Sequence, residues 1–329
     1  MSPYARADSN RALFDISTSI LPYVALMAAM LMLAHVSYLV VLVLAVPTAG
    51  FLTRTFLVMH DCAHGSFLPS RRANNWLGVT VGLITLQAFH CWRYDHVRHH
   101  ASGGDLASDG TGDVDILVVD EFRALSPWRR LGYRLRHHPL VVFGIGAFWA
   151  NIIKPRIVTP SNPRRLRWVT LATDLALAVM LTGLCWLAGW RAVLLVILPT
   201  YWLASGFGVW LIWVQHRFEG ALWQRSPDWD WETAALAGSS HFRLPGILRF
   251  FSLNIGLHHV HHLNPRIPNY NLSRANDENE FLRSVPTVSI REGIKAIRLS
   301  LYDLERGRMV SFAEAARAVP SPSPATATE

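Results

Sequence analysis

The sequence predicts an all-α integral membrane protein, with four transmembrane helices in two hairpins and a histidine-rich cap on the cytoplasmic side. Three observations predict this fold class: an apolar composition, four long apolar runs, and basic residues gathered on one side of those runs. The 329 residues are 51% hydrophobic and only 16% charged, whereas an average soluble domain is about 25% charged. The 13 tryptophans add to a composition typical of a chain embedded in a bilayer.

Four apolar runs are long enough to cross a bilayer, which requires about 20 residues in a helix. They cover residues of about 16–34, 37–59, 169–187 and 193–214. Asp174 interrupts the third run, and an acid at that depth needs a partner or a position that faces the protein interior. A functional and a structural role for Asp174 are equally open.

Two short turns determine the topology. Residues 35–37 and 188–191 each join two runs, so the long segments 60–168 and 215–329 lie on the same side as the N-terminus. Nearly all Lys and Arg residues belong to these segments, and the positive-inside rule makes that side cytoplasmic. The net charge is +8. The basic residues flank apolar runs rather than forming one stripe, which favours membrane anchoring and argues against a nucleic-acid partner.

The remaining segments complete one domain. Residues 1–318 are predicted to form a single membrane domain, and the tail 319–329, rich in Pro, Ser, Ala and Thr, is expected to be disordered. Two further apolar runs, at about 76–89 and 139–153, are too short to span the bilayer. We expect both to be helices on the membrane surface.

Nine histidines carry the chemistry that the sequence suggests. They occur in HDCAH, HVRHH, HHVHH and WVQH. The candidate metal ligands are His60, His64, His96, His99, His100, His216, His258, His261 and His262. Spacings of i, i+3 and i+4 place the imidazoles of one cluster on one side of a helix. Because one metal ion takes four to six ligands, this number of imidazoles predicts a site for two ions.

The metals are expected at the cytoplasmic membrane surface, because the second and fourth runs end at His60 and His216. A metal-bound imidazole usually donates its other ring N–H to a carboxylate or carbonyl. The acids expected in that role are Asp61, Asp105, Asp113 and Glu219. Direct ligation by one of them stays open. Imidazole sites with open positions favour redox-active iron over zinc.

An apolar interior directly beneath the metals suits a hydrophobic substrate. A chain that enters between the two hairpins would pass the last turns of the second and fourth runs. One helical turn advances about 5.4 Å, or roughly four carbons of an acyl chain. The residues predicted to line this path are Thr55, Phe56, Ile212 and Trp213. Ordinary packing within the spans is the alternative for each of them.

The order of the histidine clusters resembles that of the membrane fatty acid desaturases, over residues of about 57–276. The stretches WRYDHVRHHASGGDL, GTGDVDIL, HRFEGALW and NIGLHHVHHLNPRIPNYNL are similar to bacterial acyl-lipid desaturases of the delta-12/omega-6-like branch. The resemblance implies the nine histidines as ligands of a non-haem di-iron centre. His259 departs from the pattern as an extra imidazole and is not expected to bind metal, because it points off the ligand face.

The same resemblance implies an enzyme of the bacterial inner membrane that uses O2 to insert a cis double bond into an acyl chain. A membrane lipid is the expected carrier, with phospholipid favoured. Two electrons would come from a separate ferredoxin or b-type cytochrome, since no fused cytochrome domain or flavin motif is visible in the sequence.

Two other functions fit part of the pattern. A membrane di-iron hydroxylase or carotenoid ketolase would use the same site, because attack on a C–H bond starts each of these reactions. The stretch NIGLHHVHHLNPRIPNYNL favours desaturation. A metal transporter would need ligands along a path across the membrane, whereas every cluster is predicted at one face. The position of the double bond, the acyl carrier, the electron donor and the oligomeric state stay open.

Overall fold

The computed structural model describes residues 1–107, 115–160, 162–225 and 227–317, so the tail 319–329 lies outside the described residues. The α-helices of the first half are α1 (Ser9–Leu33), α2 (Tyr38–His64), α3 (Arg71–Ile84), α4 (Phe89–Ser102), α5 (Val119–Ala124) and α6 (Pro127–Arg136). Those that follow are α7 (Arg164–Ala188), α8 (Trp190–His216), α9 (Trp231–Ala237), α10 (Gly246–Phe251), α11 (His258–Leu263), α12 (Asn269–Asp277), α13 (Glu280–Arg283), α14 (Ile290–Ala296) and α15 (Phe312–Arg317).

Shorter elements connect these helices. The strands are β1 (Leu117–Val118), β2 (His241–Phe242), β3 (Thr287–Val288), β4 (Leu299–Asp303) and β5 (Arg308–Ser311). Ser2–Ala5 and Lys154–Arg156 are 3-10 helices, and Val141–Gly146 and Trp149–Ile153 are π-helical.

The four predicted spans are confirmed as α1, α2, α7 and α8, each long and apolar enough to cross a membrane. α1 begins earlier than predicted, because the Asp8 carboxylate accepts hydrogen bonds from the backbone N–H groups of Asn10 (2.8 Å) and Arg11 (3.1 Å) and caps the helix. α2 and α8 continue past their predicted ends, through His64 and His216. The fold is therefore an all-α membrane protein, as predicted. His60, His64 and His216 belong to the last turns of α2 and α8 rather than to the loops that follow them.

The two predicted hairpins are also present, as α1–α2 and α7–α8. α2 lies at the centre and packs against α1, α3 and α8. Since α2 ends at His64 and α8 ends at His216, both hairpins return to the same face, which we call the histidine side. The long segments between and after the hairpins start from that side.

The apolar run at 76–89 is not a surface helix but part of a re-entrant hairpin. In the turn between α3 and α4, Leu86 packs with Tyr23 and Tyr201. Tyr201 lies near the middle of α8, and its hydroxyl donates to the carbonyl of Ile84. The turn therefore reaches the middle of the transmembrane region. The expectation was wrong because the length of a run does not show how deep its helix lies.

The run at 139–153 also enters the membrane instead of lying on its surface. Phe148 stacks on Trp202 of α8, with 5.2 Å between the ring centroids. The Gln87 side chain donates to the carbonyl of Asn151 (2.6 Å). This hydrogen bond joins the second re-entrant segment to the turn between α3 and α4.

Two of the acids within the spans, Asp15 and Asp174, are paired with arginines. Asp174 forms an ion pair with Arg156 (2.8 Å), which supplies the partner that an acid at this depth needs. Asp15 of α1 accepts from Arg54 of α2, also at 2.8 Å, and both side chains are almost fully buried. Breaking such a pair from one side leaves an uncompensated charge, so these contacts hold the helices together.

Two small sheets in the cap were not predicted. β4 pairs in parallel with β1 and antiparallel with β5, with Leu117 opposite Leu301 and Tyr302 opposite Met309; β2 pairs in parallel with β3. Strands this short carry too little alternation to be recognised from sequence. The cap is fixed to α8 through the indole N–H of Trp213, which donates to the carbonyl of Ala296 (2.9 Å).

Candidate metal centre

The nine candidate ligands lie in two groups, and in each group the potential ligand nitrogens lie within 4.8 Å of one another. The first group consists of His60, His64, His96, His100 and His261. The second group consists of His99, His216, His258 and His262. In the described part of the chain, neither group includes a carboxylate or a cysteine. A purely imidazole donor set fits a transition metal such as iron.

The helical period explains how one cluster serves both groups. On α4, His96 and His100 are four residues apart and face the first group, whereas His99 faces the second. Adjacent residues of a helix point about 100° apart. α11 repeats the arrangement with the groups exchanged: two of its histidines, at i and i+4, face the second group, and His261 faces the first.

The two groups are in direct contact. The ring of His100, in the first group, stacks on that of His262, in the second, with 4.2 Å between centroids. Within the first group, the Nε2 atoms of His100 and His261 are 3.0 Å apart, and within the second those of His216 and His258 are 3.0 Å apart. Nitrogen lone pairs thus converge in two adjacent places, as binding of two cations requires.

The outer ring nitrogens of two histidines are anchored by acceptors. His60 donates through Nδ1 to the Asp61 carboxylate (3.0 Å), and His216 donates through Nδ1 to the carbonyl of Gly238 (3.2 Å). A donor at Nδ1 leaves Nε2 as the lone pair for a metal. These contacts therefore select the tautomer that metal binding needs.

Burial keeps five of the candidate ligands neutral. The pKa values of His96, His100, His258, His261 and His262 lie well below the ordinary imidazole value, first because burial disfavours the charged form and second because the neighbouring imidazoles repel a proton. Neutral imidazole is the form that binds metal. These five imidazoles are thus in the metal-binding form at neutral pH.

The structure brings Asp61, one of the four acids predicted to support the ligands, to the candidate ligand His60. Glu219 does not reach the histidines, because its exposed carboxylate pairs with Arg308 of β5. Asp105 follows α4, and among its contacts it accepts from the backbone N–H of Ala107 (2.8 Å). Asp113 lies outside the described residues.

Sequence reasoning missed Asn269. Its backbone N–H (2.7 Å) and its side-chain amide (3.0 Å) both donate to Asp61, on the oxygen that does not contact His60. The stretch IPNYNL, shortly after the third cluster, could have pointed to this residue. Asn269 in that stretch is the first residue of α12. His259, expected not to bind metal, belongs to neither group; its Nε2 contacts the side-chain oxygen of Asn276 at 3.2 Å.

A cavity of about 340 Å³ lies beside the two groups and reaches His60, His96, His99 and His258. α2 and α8 form two of its walls. The residues that these helices contribute are Leu52, Thr53, Phe56, Leu57, Tyr201, Ala204, Ser205, Gly208, Val209, Leu211, Ile212 and Gln215. They recur every three or four residues, so each helix presents one continuous face to the cavity.

Two of the four residues predicted to line the substrate path do so, namely Phe56 and Ile212. Thr55 is fully buried but is not part of the lining. Trp213 does not line the cavity: its indole N–H bonds Ala296 of the cap, and its ring packs edge-to-face on Phe143 of the second re-entrant segment. The prediction chose residues by depth below the metals and did not consider which helix face they occupy.

The fold and the site define a multi-pass membrane protein with two adjacent all-histidine groups above an apolar cavity. The sequence model of the family described as fatty acid desaturase matches residues 17–288. The chain therefore belongs to the fatty acid desaturase family, and is an oxidoreductase of lipid metabolism.

Individual relatives agree with this assignment. The protein named fatty acid desaturase from Bacillus subtilis (strain 168) is 36% identical over 312 residues, which cover 95% of this chain and 89% of the relative. Two proteins of Synechocystis sp. (strain ATCC 27184 / PCC 6803 / Kazusa) are more distant. The sn-1 acyl-lipid omega-3 desaturase (ferredoxin) is 29% identical, over 68% of this chain and 62% of that protein. The sn-1 oleoyl-lipid 12-desaturase is 28% identical, over 69% and 65%. Each cyanobacterial alignment covers less than two thirds of the relative.

Proposed function

We propose that this chain inserts a cis double bond into the acyl chain of a membrane lipid, with O2 as oxidant and two non-haem iron ions as cofactor. One observation carries the proposal: the cavity is lined by imidazoles of both groups, namely His60, His96, His99 and His258. A chain in that cavity would lie against both candidate metal sites. The family supports an acyl substrate, and the lipid-linked names of the two cyanobacterial relatives support a lipid carrier.

Each histidine group would hold one iron ion, with all nine candidate histidines as ligands. Iron bound there would supply the oxidising power that removes hydrogen from unactivated C–H bonds with O2. Asp61 would hold the His60 ring with Nε2 towards the site, and Asn269 would hold Asp61. We expect these two residues to position the ligand rather than to contact the substrate.

The cavity walls would position the acyl chain. Trp92 stacks on His96, with 4.4 Å between centroids, and the ring of Phe56 meets Trp92 edge-to-face at 5.2 Å. These rings bound the cavity next to the histidines. They would keep the reacting methylene pair against the metal site and exclude water from it.

Electrons would come from a separate protein, a ferredoxin or a b-type cytochrome. The name of one relative includes ferredoxin, which supports the first. The basic residues of the histidine side support a cytoplasmic location for the site under the positive-inside rule. The proposed location is accordingly the bacterial inner membrane.

The first test combines product and metal analysis. Expressed in a host of defined fatty-acid profile, the chain should generate new double bonds, located by mass spectrometry, and the purified protein should contain about two irons per chain. Hydroxylated or ketolated products without new double bonds would instead support the hydroxylase or ketolase alternative. Stoichiometric zinc without iron in active protein would contradict the cofactor.

A second test concerns the cavity. Ile212→Trp should fill the space next to the histidines and lower conversion of long acyl chains at least about tenfold, because one helical turn corresponds to roughly four carbons. Phe56→Ala should shift the preferred chain length in the opposite direction. Iron content should stay unchanged in both variants.

Trp213→Phe is the matched control, since it changes an aromatic residue of the same turn that does not line the cavity. Chain-length preference should not respond to it. If Ile212→Trp leaves both chain-length preference and bond position as in the unmodified protein, the acyl chain does not occupy this cavity.

A further inference from the structure

The cavity has a charged end that the proposed chemistry does not use. Asp95 of α4 and Lys154 both line the cavity, and both are solvent-exposed. Thr159 and Asn162 line it as well. Their hydroxyl and amide groups provide uncharged hydrogen-bonding partners beside the two charges. The cavity therefore passes from a polar opening to the apolar faces of α2 and α8.

The two charged groups at this opening are not paired with each other or with other charged groups of the described residues. Lys154 and, on the same helix, Arg98 attract the Asp95 carboxylate electrostatically. Within the described ranges, however, the charged groups of Asp95 and Lys154 form neither an ion pair within 4.0 Å nor a hydrogen bond. The neighbouring charges behave differently, because Arg156, two residues after Lys154, is paired with Asp174 at 2.8 Å. A carboxylate and an ammonium group are thus both unpaired where they line the cavity.

We propose that this opening binds the zwitterionic head group of a phosphatidylethanolamine-type lipid, with Lys154 on the phosphate and Asp95 on the lipid ammonium. The inference rests on the proposed function, since it names the carrier of the acyl chain. A head group that carries one positive and one negative charge can satisfy both side chains at once. Thr159 and Asn162 would donate to the remaining phosphate oxygens.

The charge pattern disfavours the other carriers. A purely anionic head group, such as phosphatidylglycerol, would satisfy Lys154 but would leave its negative charge near the Asp95 carboxylate. Acyl-CoA would bring several phosphates towards the same acid. Like charges at an interface reduce affinity for the wrong partner, so Asp95 would act as the discriminating residue and Lys154 as the general phosphate contact.

The test measures lipid binding independently of turnover. The delipidated, iron-loaded full chain in detergent micelles is offered equal amounts of phosphatidylethanolamine and phosphatidylglycerol with identical acyl chains, and bound lipid is counted by native mass spectrometry. Phosphatidylethanolamine should be retained about fivefold over phosphatidylglycerol, the ratio expected for one exposed ion pair. Asp95→Asn should abolish this preference, and Lys154→Gln should lower retention of both lipids about fivefold.

Matched controls remove the same charges elsewhere. Lys295→Gln and Asp120→Asn change exposed residues outside the cavity lining, and neither should alter the preference. Soluble glycerophosphoethanolamine should compete for the site, whereas inorganic phosphate at the same concentration should not. Competition by phosphate alone would overturn the head-group assignment in favour of a simple anion site.

Two outcomes separate this inference from the proposed function. Equal retention of the two lipids, or a preference that survives Asp95→Asn, would overturn the head-group assignment even if both lipids are desaturated. Absence of new double bonds with either lipid and with acyl-CoA would overturn the proposed function, even where the binding preference is found.

Discussion

Replacement of His261 by Ala should abolish double-bond formation and reduce the iron bound per chain. His261 lies in the first group, where its Nε2 is 3.0 Å from that of His100. Loss of a partner that merely supports a ligand costs about 10- to 100-fold, so loss of a ligand itself should lower the rate at least about 100-fold. His99→Ala and His216→Ala should do the same through the second group. Product analysis and metal analysis on the same samples measure both effects.

The controls for this experiment are histidines outside both groups. His35 and His138 are exposed, and their replacement by Ala should leave activity and iron content close to those of the unmodified protein. His216 is the decisive position, because it is the proposed ligand that lies outside the three clusters. Full activity of His216→Ala would refute the ligand set proposed for the second group.

Arg54→Met should destabilise the protein by about 3–5 kcal/mol, the usual cost of removing one partner of a buried ion pair. Arg54 bonds Asp15 (2.8 Å) and the Thr18 hydroxyl (3.1 Å) of α1, and it also donates to the carbonyl of Phe250. Without the guanidinium group, the Asp15 carboxylate stays buried and uncompensated. The free energy of unfolding in mixed micelles measures the effect.

The double variant Asp15→Asn/Arg54→Met provides the comparison, because it removes both charges. Its stability should recover a large part of the loss. An exposed pair serves as the matched control: Arg225 bonds Glu121 at the surface, and Arg225→Met should cost no more than about 1 kcal/mol. Equal losses in the single and double variants would show that the charge of Asp15 is not the cause.

The spans and the candidate ligands could be predicted because each depends on local sequence. Twenty apolar residues identify a span in any context, and histidines four residues apart share a helix face wherever the helix lies. HDCAH and HHVHH are almost 200 residues apart. The topology predicts that they meet, because two short turns return α2 and α8 to one side of the membrane. Assignment of His99 and His100 to different groups requires the positions of neighbouring helices, which the sequence does not contain.

The site residues that were misplaced or overlooked share one cause: the direction in which a side chain points depends on the tertiary structure. Glu219 is close in sequence to His216, but the chain has left α8 by that point and its carboxylate meets Arg308 instead. Trp213 lies at the predicted depth but on the opposite side of the helix from the cavity. Asn269 supports Asp61 from another helix. Distance along the chain is a poor guide to such contacts once a helix has ended.

The wall of the cavity is built partly from the two re-entrant segments, through Thr85 and Gln87 from one and Asn151 and Ile152 from the other. None of these residues belongs to a helix that carries a histidine. An insertion or deletion in the second segment, which joins directly to none of the histidine-bearing helices, would alter the shape of the cavity while leaving α2, α4, α8 and α11 in place. Substrate range in this architecture can thus evolve separately from its chemistry.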